Sequence, residues 1–113
     1  MKLYEIIFII DSFLKEKKVL KIINIFKKYI ISKNGIILYK DFWGIKNFQY
    51  NIKKKKSGYY YLIEIKILPK YIISLKNIIK TEENILRYLI IKLDKYAIKY
   101  LHSIRNINNE KSV

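Results

Sequence analysis

The chain lacks cysteine and contains a single histidine, His102, among its 113 residues. Without thiols, neither disulfide bonds nor thiolate metal sites can form. No partner for His102 stands at a metal-ligand spacing, and no nucleophile–base pair is recognisable. We therefore expect no metal, no cofactor, no small-molecule substrate and no enzymatic activity. A binding protein is the expected class.

Long apolar runs are also missing, since a membrane-spanning helix needs roughly 18 or more consecutive apolar residues. The apolar run near the N-terminus is bracketed by Glu5 and Asp11 and lacks a small-residue cleavage site. It therefore does not fit a signal peptide. We expect a soluble, cytoplasmic protein with no membrane partner.

Acidic residues are scarce: nine Asp and Glu stand against 24 Lys and Arg, which gives a formal net charge of +15. Such an excess favours a polyanionic partner, with nucleic acid as the first choice. Nearly all the basic residues are lysine, and Ile, Lys, Asn and Tyr are abundant throughout. Because these residues have A/T-rich codons, part of the lysine excess can be mutational drift rather than function.

Hydrophobic periodicity predicts six elements in the order strand, helix, strand, strand, helix, strand. The predicted strands are Leu3–Ile10, Ile36–Tyr50, Tyr59–Leu68 and Ile85–Leu93, and the predicted helices are Phe13–Ser32 and a second one following Pro69. Asp11-Ser12 is the expected start signal of the first helix, and Lys33-Asn34-Gly35 its stop. This order predicts an α+β, ferredoxin-like βαββαβ sandwich, with a four-stranded antiparallel sheet and two helices on one face.

The predicted domain covers residues 1–93, and residues 94–113 form a C-terminal extension. Apolar side chains recur there at helical spacing: Tyr96, Ala97, Tyr100, Leu101 and Ile104. We expect the extension to be partly helical or flexible, because an isolated helix of this length is marginal in water.

The stretch from Asp41 to Tyr61 is predicted to be a hairpin with a lysine tip. Its connection is Lys53–Lys56, which Ser57-Gly58 ends. Four consecutive lysines cannot enter a core, so they project into water or toward a polyanion. The Trp43-Gly44 pair predicts either a bulge on the first arm or a close approach of another backbone there.

The same stretch carries a family resemblance. Tyr4-Glu5-Ile6, Trp43-Gly44, Tyr50-Asn51-Ile52 with the lysines and tyrosines after it, and Asn84-Ile85-Leu86-Arg87 occur in a characteristic order and spacing. Over residues 1–93 the chain resembles the bacterial small-subunit ribosomal protein number six family. The resemblance implies the same ferredoxin-like fold.

The resemblance also implies a function. Proteins of this family bind the central domain of small-subunit ribosomal RNA as a heterodimer with small-subunit ribosomal protein number eighteen. The expected location is the ribosome of the cytoplasm, with a plastid ribosome as the alternative. Aromatic residues suited to the partner-protein interface are Phe42, Trp43, Phe48 and Tyr50. For any single one of these four residues, packing within the chain alone is an equally good explanation.

Basic residues at strand edges and at the hairpin are the candidate RNA contacts. They are Lys2, Lys46, Lys53, Lys54, Lys55, Lys56, Arg87 and Lys92. Arg87 falls on a basic position of the family, and its planar fork suits a phosphate or a guanine edge. The competing explanation is that basic residues on an edge strand only deter sheet-to-sheet aggregation.

An alternative function is a stand-alone, single-stranded RNA-binding module that stacks bases on aromatic residues of the open sheet face. Stacking on Tyr4, Tyr59 and Tyr61 would turn Glu5, Glu64 and Lys66 into the core. Burying unpaired charges costs several kcal/mol each, against about 1–3 kcal/mol gained per stacked base. We therefore expect these three tyrosines to lie mostly in the core.

Overall fold

The computed structural model describes residues 1–94. Its elements are β1 (Lys2–Asp11), α1 (Glu16–Ser32), β2 (Ile36–Ile52), β3 (Lys55–Ile67), α2 (Lys70–Thr81) and β4 (Ile85–Lys92). The strands form a four-stranded sheet in the order β2-β3-β1-β4. Every neighbouring pair is antiparallel, and the two helices pack against one face, as predicted. Apart from residue 94, the predicted C-terminal extension lies outside the described residues.

The core forms between this sheet face and the helices. β1 contributes alternate residues because successive side chains on a strand point to opposite faces. Those on the helix side are Tyr4, Ile6, Phe8 and Ile10, and those of β3 are Tyr59, Tyr61, Ile63, Ile65 and Ile67. All nine side chains are buried, which confirms the predicted facing of both central strands.

Each helix presents one apolar stripe to this sheet face, as the 3.6-residue period predicts. α1 buries Val19, Ile22, Ile23, Phe26 and Ile30, and α2 buries Ile72, Leu75 and Ile79. The rings of Phe8 and Phe26 stack at the centre, with centroids 5.3 Å apart and planes 7° from parallel. Full burial of such a side chain contributes about 1.5–3 kcal/mol to folding.

Within residues 1–94 no helix is both long and apolar enough to cross a membrane.

The predicted start signal of the first helix is wrong. α1 begins at Glu16, and the preceding Lys15 provides no side-chain cap. The Ser12 hydroxyl instead lies 2.8 Å from that of Ser57. The Asp11 carboxylate accepts a hydrogen bond from the backbone N–H of Phe13. These polar groups therefore stabilise the turn after β1 rather than the helix end.

The helix stop lies where the sequence predicted it, but asparagine takes the left-handed conformation. Asn34 has φ 60°, whereas Gly35 is not among the residues with positive φ. Gly35 is needed for space instead. A Cβ atom there would lie 2.7 Å from Ile30 Cγ2 and 2.8 Å from the Ile30 carbonyl oxygen.

The hairpin between β2 and β3 turns on only two residues. Lys53 and Lys54 have φ values of 48° and 65°, and Ile52 lies opposite Lys55. Two successive left-handed residues in a two-residue loop are typical of a type I′ turn. The lysine-tipped hairpin is confirmed. The predicted four-residue connection is wrong, because β3 already begins at Lys55.

Candidate nucleic-acid interface

The sheet face opposite the helices, called the open face below, is largely apolar. The register places Ile9 opposite Tyr60 on one side and opposite Arg87 on the other. Further members of this face are Ile7, Leu62, Leu89 and Ile91. Leu89 is 53% exposed. Ile91 is 40% exposed, whereas Ile9 and Leu62 are buried, so the exposed apolar area lies along β4. Exposed apolar area beside an arginine is typical of an interaction site.

A bulge in β2 shapes one side of the open face. The register shifts between Phe42 and Gly44, and Gly44 has φ 76°, a conformation that favours glycine. Trp43 is the extra residue between these two pairs, and its ring stacks on that of Tyr60 on the open face. Of the two alternatives predicted for the Trp-Gly pair, the structure confirms the bulge.

Trp43, Phe48 and Tyr60 form an aromatic cluster on the open face. The rings of Trp43 and Tyr60 stack with centroids 6.1 Å apart, and Phe48 lies 6.2 Å from Tyr60. The Trp43 indole N–H donates a 2.7 Å hydrogen bond to the Asp41 carboxylate. Trp43 nevertheless remains 43% exposed. The indole is therefore held in place and available to a partner.

The four aromatic residues predicted for a partner interface do not share one surface. Phe42 lies on the helix side, where its ring is 5.8 Å from those of both Tyr59 and Tyr61. Tyr50 projects from the hairpin and is 81% exposed. Trp43 and Phe48 do meet, through Tyr60, which was not among the predicted interface residues. Because successive residues of a strand point to opposite faces, Tyr60 must face away from Tyr59 and Tyr61, so the sequence contained a signal for it.

The sequence predicted that Glu5 and Glu64 face away from the core, and the structure confirms this. It did not predict that both side chains would be buried. Glu5 and Glu64 lie directly opposite each other across β1 and β3 on the open face. Both are buried, and Glu64 is only 1% exposed. The alternation identifies the face of a residue, but the exposure of that residue depends on what packs over it.

Stacking of bases on Tyr4, Tyr59 and Tyr61 is excluded by their burial on the helix side. The Tyr59 hydroxyl donates to the Leu14 carbonyl oxygen at 3.1 Å. The Tyr61 hydroxyl accepts from Lys27 Nζ at 2.7 Å. The Trp43 ring of the open-face cluster, by contrast, remains exposed and available to stack a base.

The predicted basic contacts are all exposed, and they fall into groups. The exposed residues are Lys2, Lys46, Lys53, Lys54, Lys55, Lys56, Arg87 and Lys92. Lys53 and Arg87 line one concavity of about 420 Å³, together with Lys80, Glu82 and Glu83. Lys2 and Lys92 line another of about 520 Å³, where the N-terminus of β1 meets the end of β4. The hairpin tip therefore approaches the start of β4, which the sequence pattern did not show.

The four consecutive lysines differ in their surroundings. Lys55 Nζ lies 3.3 Å from the Asp11 carboxylate and 5.9 Å from the centre of the Phe13 ring. Lys53 and Lys54 form the turn itself and make no ion pair with another described residue. Lys56 is also exposed and also makes no such ion pair, but only Lys53 and Lys54 occupy the turn. They are therefore the cations at the very tip of the hairpin, where an external anion can approach.

Comparison with known proteins agrees with this architecture. A family model described as Ribosomal protein S6 matches residues 3–92. Small ribosomal subunit protein bS6 of Christiangramia forsetii is 34% identical over 112 residues, which cover 99% of this chain and 100% of that protein. The protein of the same name from Rickettsia canadensis is 32% identical over 113 residues, covering 100% of this chain and 93% of its own. The crystal structure of 30S ribosomal protein S6 from Thermotoga maritima superposes with a TM-score of 0.79 at 23% identity, covering 95% of this chain and 97% of that one.

Proposed function

Because the chain belongs to the ribosomal protein S6 family of the small ribosomal subunit, we propose that it binds the central domain of small-subunit ribosomal RNA together with small-subunit ribosomal protein number eighteen. Its role is structural and not enzymatic: two small proteins jointly hold an RNA junction. The proposed location is the ribosome of the cytoplasm, with a plastid ribosome as the alternative.

The proposed RNA contact is the surface that Lys53, Lys54 and Arg87 form. Lysine is unusual in a type I′ turn, where Asn and Gly fit the left-handed conformation with less strain. Residues held in such conformations often have a functional role. Two lysine amines at the tip provide point charges for phosphates, and the Arg87 guanidinium can bind a phosphate through two hydrogen bonds. The concavity shared by Lys53 and Arg87 is the observation that carries the RNA assignment.

The proposed partner surface is the open face, centred on the aromatic cluster. Protein interfaces are enriched in aromatic side chains at their core. Trp43 is suited to be an anchor because its hydrogen bond to Asp41 fixes the ring before binding. A preorganised side chain loses less entropy when it binds. Leu89 and Ile91 extend the apolar area on the other side of the face.

A second candidate function is the stand-alone, single-stranded RNA module. The observation that favours it is the exposed Trp43 ring on the open face, since an aromatic face stacks any base with a gain of about 1–3 kcal/mol. In this function the aromatic cluster contacts RNA directly, without a protein partner.

The deciding experiment measures binding to a central-domain ribosomal RNA fragment at near-physiological salt, with and without small-subunit ribosomal protein number eighteen. The proposed function predicts weak, salt-sensitive binding alone and tight, selective binding with the partner. Equally tight binding to unstructured RNA without any partner would reject it in favour of the stacking module.

A further inference from the structure

A second basic surface lies on the helix side of the molecule, away from the residues proposed above. α1 carries Lys17, Lys21, Asn24 and Lys28 at spacings of four, three and four residues. Such spacing places the side chains in one row along a helix. At 1.5 Å per residue the row is about 16 Å long. The row therefore presents hydrogen-bond donors along an extended line rather than in a single pocket.

This row forms one wall of a groove between α1 and β2. Two adjoining concavities, of about 560 and 520 Å³, share Asn24, Lys27 and Lys40. We call them together the α1–β2 groove. Five lysines and one asparagine line it: Lys17, Lys21, Asn24, Lys27, Lys28 and Lys40. Among residues 1–94, no carboxylate lines it. The groove therefore concentrates positive charge without internal compensation.

The lysines differ in how they are held. Lys27 is half-buried at the base of the groove, where its Nζ donates to the Tyr61 hydroxyl at 2.7 Å and lies 5.0 Å from the centre of that ring. Lys17, Lys21, Lys28 and Lys40 are exposed and make no ion pair with another described residue. One positive charge is thus fixed in place, and the others are free to adapt to an anion.

We propose that the α1–β2 groove binds the phosphate backbone of an RNA strand, as a second RNA contact separate from the hairpin tip. A linear row of cations matches the regular charge of a nucleic-acid backbone. Lysine amines on flexible stems suit phosphate contacts, which position an RNA without reading its sequence. The Asn24 amide adds a hydrogen-bond donor in the middle of the row.

This inference rests on the proposed function, because it takes ribosomal RNA as the polyanion. The test therefore uses the full chain with its protein partner and the central-domain RNA fragment. The groove variant combines Lys17→Gln, Lys21→Gln and Lys28→Gln, since Gln and Lys have similar helix propensities. Lys27 stays unchanged, because its hydrogen bond to Tyr61 is part of the fold.

The control variant combines Lys15→Gln, Lys18→Gln and Lys76→Gln. These lysines are also exposed but do not line the groove, so both variants lose the same charge. We expect the groove variant to bind the RNA fragment roughly tenfold more weakly at 0.15 M salt. Its plot of log affinity against log salt should be shallower by about 2, since each lost phosphate contact removes about 0.7–0.9. The control should change both quantities far less.

The outcomes separate the two proposals. If the unaltered chain with its partner fails to bind the fragment, the proposed function fails. If the unaltered chain binds but the groove and control variants behave alike, the groove inference is overturned and the proposed function stands. Thermal unfolding of both variants checks that the fold is intact.

A second measurement identifies the class of molecule in the groove. Because the chain has no cysteine, Asn24→Cys introduces a single thiol that a benzophenone maleimide can label. Asn77→Cys on α2 is the matched control, since both asparagines are exposed. In assembled small subunits, photo-crosslinks to RNA from position 24 and not from position 77 would support the inference. Crosslinks to an acidic protein, or none above the control, would overturn it.

Discussion

The two-lysine turn gives the sharpest prediction, because stability and RNA binding should change in opposite directions. The double substitution Lys53→Asn and Lys54→Gly replaces the turn with the residues that a type I′ hairpin prefers. A left-handed conformation costs an ordinary L-residue about 1–2 kcal/mol. Glycine removes that cost but loses roughly 0.5–1 kcal/mol more backbone entropy on folding. With a smaller gain from Asn, we expect unfolding to become about 1 kcal/mol less favourable.

For a domain of this size, 1 kcal/mol raises the midpoint of thermal unfolding by about 4 °C. The same variant loses two cations at the tip, so its affinity for the central-domain RNA fragment should fall severalfold, with a shallower salt dependence. The matched control, Lys53→Arg with Lys54→Arg, keeps both the charge and the backbone cost. It should leave the melting midpoint unchanged and should not weaken RNA binding.

Circular dichroism melting and a filter-binding titration test the two halves separately. An unchanged melting midpoint would show that the left-handed residues carry no measurable cost. An unchanged RNA affinity would remove the tip from the RNA-binding surface, even if stability rises as expected. Only the combination of higher stability and weaker RNA binding supports the view that the lysines are retained for function.

Three further predictions concern the core, the helix stop and the partner surface. Phe26→Ala removes the ring that stacks on the centre of the sheet and should cost about 3–5 kcal/mol, measured by urea unfolding. Gly35→Ala places a methyl group 2.8 Å from the Ile30 carbonyl oxygen and should cost about 3 kcal/mol. Gly44→Ala meets no atom within 4 Å and should cost only the backbone strain of about 1–2 kcal/mol; equal losses would contradict the packing argument. Trp43→Ala should weaken partner-dependent RNA binding at least tenfold and leave partner-free binding unchanged, while a loss of partner-free binding would favour base stacking.

The fold could be predicted from the sequence because its signals are local and agree with one another. The period-two alternation in β1 and β3 identifies the buried face. Glu5 and Glu64, which do not fit a core, mark the other face. Gly44 signals the bulge because a strand interior otherwise disfavours glycine. Each of these inferences depends only on neighbouring residues.

The features that could not be predicted depend on residues far apart in the chain. Ser12 does not cap α1 because Ser57, 45 residues away, provides its hydrogen-bond partner. The turn lies at Lys53-Lys54 because the ladder between β2 and β3 continues to Ile52 and Lys55. The proximity of Lys53 to Arg87 follows from how the hairpin packs, and no local pattern records it.

The structure also bears on whether the lysine excess reflects codon drift or function. Drift acts on composition and is indifferent to the surroundings of each residue, yet the lysines here occupy distinct environments. Lys27 is half-buried on a tyrosine hydroxyl, Lys55 is paired with a carboxylate, and Lys53 and Lys54 accept a backbone conformation that lysine disfavours. A lysine gained by drift would be retained most easily at a position where it does not destabilise the fold. The Lys53-Lys54 turn carries a conformational cost, and neither amine makes a hydrogen bond or ion pair with another described residue that would offset it. At this turn, selection for charge therefore explains the lysines better than composition does.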